Sequence, residues 1–241
     1  MDDILSRHKE TWEKKKILRI IYEDWYRKII SDLNADGGKT VELGSGSGNF
    51  KQYLPELISS DIDPCNWLDM SFDAHKMPFT DQSLSNIVMI DVFHHLYNPI
   101  MFLNEAYRVL KKGGRVIMLE PFPSPFSLMI YKRFHPEPFI FETDYFNMSG
   151  LSDKDPWDSN QAIPYLIFFK HIDKFNKTFG SKFEIIKSEK MSFILYPASG
   201  GFENKQMIPD FMIPVFKMFE KLLTPFKSLL AFRCYLVLEK L

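Results

Sequence analysis

Residues 39–50 read KTVELGSGSGNF. A short apolar run ends at Leu43, and Gly44, Gly46 and Gly48 follow at every second position, with serines between them. Without a Cβ, glycine lets the backbone turn sharply and lie against a ligand. A helix start beyond such a loop offers unpaired N–H groups to a polar or anionic group. The same pattern also serves a plain strand-to-helix connection, so the loop alone leaves both readings open. Its neighbours narrow them. Asp61 closes the next apolar stretch, about 17 residues past Gly44, near the spacing at which an acid accepts hydrogen bonds from ribose hydroxyls in a nucleotide-binding βαβ unit. A dinucleotide fingerprint would place its third glycine at position 49, which is Asn49. Glu42 stands two residues before Gly44, and a carboxylate there suits a ligand that carries an ammonium group.

Outward from the loop, the pattern is that of a doubly wound α/β fold. Lys39–Leu43, Leu57–Ser60, Leu68–Phe72, Ile87–Ile90 and Arg115–Leu119 read as strands. Ile100–Leu110 reads as a helix that ends in KKGG, with lysines in its last turn and Gly113 at its stop. Before the loop, Ile17, Ile20, Ile21, Trp25 and Ile29 recur at helical steps, so a helix is expected over about 2–33, stopped by NADGG. The segments after the first two strands are short, and Pro55 ends the only helix that fits there, 49–54.

The runs VELGSGSGNF, SSDIDP, FDAHKMPFTDQSLSNIVMIDVFHHL and EAYRVLKKGGRVIMLEP, in that order, resemble the class I S-adenosylmethionine-dependent methyltransferases that act on small molecules, of the methyltransferase type 11 kind. The resemblance covers about 39–121. It implies a Rossmann-like, doubly wound, mostly parallel seven-stranded sheet, and S-adenosylmethionine as the methyl donor, leaving S-adenosylhomocysteine. It further implies that Glu42 and the loop Leu43, Gly44, Ser45, Gly46 and Gly48 hold the methionine end. Asp61 would bind the ribose, Ile62 would lie against the adenine, and Asp73 and Ala74 would meet the adenine amino group. Asp91 and Val92 would touch the methionyl group from the backbone.

Transfer from a sulfonium needs a nucleophile held in line and water kept out, and a base only where the nucleophile starts protonated. His94 and His95, after the fourth strand, and Glu120, at the end of the fifth, are the candidate catalytic residues; structural roles in the loop compete for each. His135 is a weaker candidate. No metal is expected, because adjacent histidines should point apart and no Cys/His spacing matches a zinc pattern. Phe93, Tyr97 and Phe122 are expected mainly in packing, with a cation–π contact to the donor sulfonium as the alternative. Trp67 fills a gap beside the loop or covers the adenine edge.

One domain is expected over 1–241: a helical N-terminal cover (1–35), a donor-binding core (36–120), a Pro- and aromatic-rich lid after the fifth strand (121–180), and C-terminal strands and helix (181–241). Within the lid, Trp157, Asn160 and Gln161 suggest either an acceptor-site wall or a helix cap. A helix is expected over 165–179, and strands over 183–195 and 232–238. Phe211, Val215, Phe219, Leu222 and Phe226 share one helical face, expected to dock on the sheet, with a membrane surface as the alternative. Lys and Arg total 30 against 31 Asp and Glu, so no bulk attraction to nucleic acid is expected. With 23 phenylalanines, an apolar, lipid-like or glycolipid-like acceptor is the expectation. The charged start and the absence of a spanning apolar stretch point to a soluble cytoplasmic protein with free thiols at Cys65 and Cys234; oligomeric state stays open. Two other functions are compatible with these patterns: a donor-binding regulator without catalysis, and an NAD(P)-dependent oxidoreductase, which the GxGxG spacing disfavours.

Overall fold

The computed structural model describes residues 2–134, 137–148 and 158–241. Its strands are β1 (Lys39–Leu43), β2 (Ile58–Asp61), β3 (Met70–Ser71), β4 (Leu84–Ile90), β5 (Leu110–Pro121), β6 (Phe183–Met191) and β7 (Arg233–Lys240). Among the described residues they form one seven-stranded sheet in the order β3-β2-β1-β4-β5-β7-β6, parallel except for β7. The chain runs outward from β1 to β3, then returns to place β4 on the other side of β1. That reversal opens a crevice at the carboxyl ends of β1 and β4, the place where ligands bind in open sheets.

The helices are α1 (Asp2–Lys14), α2 (Lys16–Ser31), α3 (Pro99–Val109), α4 (Pro125–Phe134), α5 (Ile163–Tyr165), α6 (Ile172–Phe179), α7 (Leu195–Ser199), α8 (Ile213–Leu222) and α9 (Lys227–Leu230). One sheet face, with Val41, Ile87, Val116 and Leu236, packs under α3 and α6. The other, with Val88, Ile117, Tyr235 and Val237, packs under α2. The connections after β1 and β2 are indeed short: a single 3-10 turn, Asn49–Gln52, and then turns. The N-terminal helix therefore covers the face that those connections leave bare. Ile17, Leu18, Ile21, Trp25 and Ile29 of α2 are all buried there, each burial worth roughly 1.5–3 kcal/mol.

Several expected boundaries move, each for a local reason. The single N-terminal helix breaks at Lys15, where Arg19 donates to the carbonyls of Trp12 and Glu13. Strand β5 begins at Leu110, not Arg115; KKGG forms an irregularity in its register rather than a helix stop, with Gly113 at φ +74°. The helix over 165–179 begins at Ile163 and contains a π-helical turn, Leu166–Lys170. β6 stops at Met191, where Ser192 takes φ +60° and α7 begins at Leu195. Among the described residues, Cys65 and Cys234 form no disulfide. Among the described residues, no helix is long and apolar enough to cross a membrane.

Candidate active site at the carboxyl edge

The glycine loop closes by stitching the ends of β1 and β2 together. Ser45 N donates to Ser60 O at 2.8 Å, and Ser60 N donates back to Ser45 Oγ at 3.0 Å. Gly44, Gly46 and Gly48 all take positive φ, at 65°, 50° and 72°. At Gly44 a Cβ would stand 2.3 Å from Val92 Cγ2, so the backbone comes as close to the loop after β4 as the absence of a side chain permits. Gly46 N donates to Asp61 Oδ2 at 3.0 Å, which ties the acid at the end of β2 to the loop. Burial raises the Asp61 carboxyl above its ordinary value.

Glu42 lies beneath this loop, 5% exposed. Its Oε2 is buried without a hydrogen-bond partner among the described residues. Burial, with the nearby charge of Asp61 adding to it, holds the carboxyl up at about 7. A carboxylate oxygen sealed from water with nothing to accept is costly, and an ammonium group in the crevice would relieve it. Ile62, next to Asp61, is exposed. Ala74 is partly buried against the main core, and Asp73 accepts from both His75 N and His75 Nδ1, at 2.8 and 2.6 Å. Trp67 donates Nε1–H to Gly46 O at 2.9 Å and packs beside Gly48, so it props the loop from outside. Helix α1 crosses the same loop: Leu5 approaches Gly46, and Lys9 Nζ sits 4.7 Å over the Trp67 ring.

The second half of the site is the loop after β4. Asp91 takes φ +58° and its carboxylate pairs with Arg233. Glu120, wholly buried at the end of β5, accepts from Val92 N at 3.0 Å and Phe93 N at 2.8 Å through one oxygen. Its other oxygen faces His94 Nδ1 at 2.7 Å. Glu120 thus anchors the loop and opens onto no solvent. Burial alone would lower the His94 pKa, but hydrogen bonds to Glu120 and Glu137 overcome it and hold the imidazole at about 9. His94 is therefore a cation at neutral pH, clamped between two acids. His95 is more open, its side chain 22% exposed. The adjacent histidines do not point apart: both Nε2 atoms reach Glu137, at 3.4 and 3.7 Å. The ligand-type atoms of His94, His95 and Glu137 lie within 4.8 Å of one another.

Glu137 was not singled out by pattern, because one glutamate between two prolines carries no periodic signal. Gln161, which was, donates to Glu137 at 3.1 Å and so joins this group. Asn160 has the capping role instead. Its Oδ1 accepts from Ala162 N and Ile140 N, strapping the lid segment to the start of α5. His135 and Trp157 lie outside the described residues. Phe93 packs on Phe102 and Phe168, Phe122 on Tyr165 and Phe169, and Tyr97 on His75, as expected for packing aromatics. Arg233 was visible in the sequence as the one charge in an otherwise apolar run, 229–238. In the fold it is 3% exposed, with Asp91 and the Tyr196 hydroxyl as its partners and the Tyr196 ring 4.3 Å away.

The sheet order, the glycine loop and the acid at the end of β2 are arranged as in a nucleotide-type crevice of an open α/β sheet. Residues 41–118 match the family model described as a methyltransferase domain. A demethylmenaquinone methyltransferase of Thermotoga maritima is 27% identical over 139 residues, 51% of this chain and 56% of that protein. A ubiquinone/menaquinone biosynthesis C-methyltransferase UbiE of Geotalea daltonii is 31% identical over 98 residues, 41% of this chain and 37% of that protein. The chain thus spans about half the length of the curated relatives it matches, or less. Among solved structures, an S-adenosylmethionine-dependent methyltransferase of Thermotoga maritima, described as a possible histamine N-methyltransferase, shares the fold. It aligns over 100% of this chain and 99% of its own with a TM-score of 0.55 and 17% identity.

Proposed function

We propose that this protein transfers a methyl group from S-adenosylmethionine to a small apolar, lipid-like acceptor. The unpartnered buried oxygen of Glu42 under a three-glycine loop carries the donor half of this reading. Glu42 and the loop from Leu43 to Gly48 hold the donor's ammonium and methionyl end. Asp61 exchanges its bond to Gly46 N for the ribose hydroxyls, and Ile62, Asp73 and Ala74 form the adenine end. Asp91 and Val92 flank the methionyl group. When bound, S-adenosylmethionine supplies a methyl carbon already activated by a positive sulfur. The chain's task is then to seat the acceptor in line and keep water out. Helix α1 closes over the donor loop, and the aromatic segment around Phe139, Phe141 and Tyr165 covers the acceptor side. Where the acceptor group is protonated, the His95–Glu137 pair is placed to take that proton, while Glu120 and His94 hold the loop. The apolar cover agrees with the names of the curated relatives, which point to a quinone-type acceptor.

Two measurements test the donor half. Asp61→Ala is expected to weaken S-adenosylhomocysteine binding on the order of 100-fold, from the loss of two charge-assisted hydrogen bonds, with thermal stability little changed. Calorimetry that finds the same affinity would remove Asp61 from the ribose. The second concerns pH. Glu42 must be ionised to face an ammonium group, so product affinity is expected to fall roughly tenfold per pH unit below about 7. In the donor-free protein the sign is opposite. A carboxyl raised in the folded state contributes stability at low pH that is lost as pH rises through about 7. Glu42→Gln should flatten both profiles. The acceptor half is tested with labelled donor on demethylmenaquinone, a glycolipid and a hydrophilic amine in parallel. Turnover of the hydrophilic acceptor alone would reject the apolar reading.

A further inference from the structure

Helix α8 turns its apolar side outward. Val215, Met218, Phe219 and Leu222 recur at three- and four-residue steps, one stripe of the helix, and they are 42, 55, 45 and 62% exposed. Phe211, one turn earlier, is 80% exposed, and Phe226, one turn later, 55%. This is the face expected from sequence to dock on the sheet, and the structure gives it to solvent. The opposite side seats the helix through buried Ile213 and partly buried Phe216 and Leu223, with two charged residues among them. Lys217 pairs with Asp24, and the Glu220 carboxylate accepts from the backbone N–H groups of Phe193, Ile194 and Leu195. A surface helix ordinarily keeps its outward face polar. A continuous apolar stripe of this length marks an interaction surface.

Charge and position say what covers it. With Lys217 paired and Glu220 folded inward, the charges left beside the stripe are exposed Lys221 and Lys227, with Asp210 at its far end. Helix α9 packs on α4, which presents exposed Met129 and Phe134 with Lys132 and Arg133 beside them. All of this lies at the carboxyl edge: α4 follows the end of β5, and α9 leads into Arg233, which pairs in register with Pro121. A second copy docked through the same patch by a twofold axis would set these cations against themselves. An anionic bilayer interface complements both the apolar stripe and its cationic flank.

We infer that α8, α9 and α4 form a surface that seats on anionic lipid membrane and turns the carboxyl edge of the sheet toward the bilayer. The inference stands on this surface and does not require that methyl transfer be established. Its test is sedimentation of the full chain with vesicles of phosphatidylcholine alone, or mixed with phosphatidylglycerol, without donor. The chain is expected to bind the mixed vesicles and to bind the neutral ones far less. Phe219→Glu/Leu222→Glu should abolish binding without changing Tm, since both side chains are exposed. Lys221→Gln/Lys227→Gln should weaken it roughly fivefold per lysine. A chain that stays in solution with both vesicles, or binding untouched by Phe219→Glu/Leu222→Glu, overturns the inference. So does a dimer that this variant dissociates, in a chain that ignores lipid. Titration of S-adenosylhomocysteine into the same preparation reports separately on the donor site.

Discussion

Glu120→Ala is expected to cost about 3–5 kcal/mol of folding free energy and to disorder the loop after β4. The residue is fully buried, and three groups depend on it at short range: Val92 N, Phe93 N and His94 Nδ1. Alanine leaves two buried N–H groups and the Nδ1–H of the His94 imidazolium without their acceptor, and each carries its own desolvation cost. Glu120→Gln separates charge from shape, since its carbonyl can still accept from the two amides. It removes the negative charge that holds His94 at about 9, so burial should carry the imidazole back down toward or below its ordinary value. A histidine raised in the folded state adds stability that is fully present below about 6.5 and is lost as pH rises through about 9. For His94 this amounts to on the order of 3 kcal/mol. Urea unfolding at pH 6 and pH 9.5 should show that loss in the wild type and little of it in Glu120→Gln. The titratable and charged groups that share this pocket are Asp91, Arg233, Glu137 and His95, and all four remain in the variant. An NMR titration of His94 that stays near 9 in Glu120→Gln would assign the shift to Glu137 instead.

The second large effect is expected at Gly44. Gly44→Ala places a Cβ 2.3 Å from Val92 Cγ2, at φ +65°. The conformation alone costs an L-residue roughly 1–2 kcal/mol, and forcing Val92 aside adds about 1–3 kcal/mol. Because Val92 belongs to the loop assigned to the methionyl group, the displacement falls inside the donor site. S-adenosylhomocysteine affinity should therefore drop well beyond tenfold. The double variant Gly44→Ala/Val92→Ala removes the collision and keeps the strained φ. It should regain the packing part and leave the conformational part, an interaction readable in a double-mutant cycle. Strictly additive effects would mean that the loop relaxes elsewhere and that the close approach is not what fixes the site.

The two predictions fall on opposite kinds of residue. Gly44 announced itself locally, since glycines after an apolar run have few other uses. Glu120 could be placed at a strand end from sequence, but not given its partners. The backbone amides and imidazole it holds are 26–28 residues away along the chain. Arg233 shows the same division. Its charge was visible against an apolar run, while Asp91, 142 residues distant, was not a partner that spacing could supply.

The sequence by itself determined the α/β rhythm, the glycine loop between Glu42 and Asp61, the short connections after the first two strands, and which residues of the late helix share a face. Each of these rests on local steric or periodic rules that act within a few residues. Only the tertiary structure decided that α2 covers the face those connections leave bare, and that His94 and His95 converge on Glu137. It also decided that the face from Phe211 to Phe226 points outward. Periodicity groups side chains on a helix but does not orient the helix. That orientation came from contacts distant in sequence: Ile213, Phe216 and Leu223 pack on the core, Lys217 pairs with Asp24, and Glu220 accepts from the amides of Phe193, Ile194 and Leu195, which leaves the stripe from Val215 to Leu222 exposed.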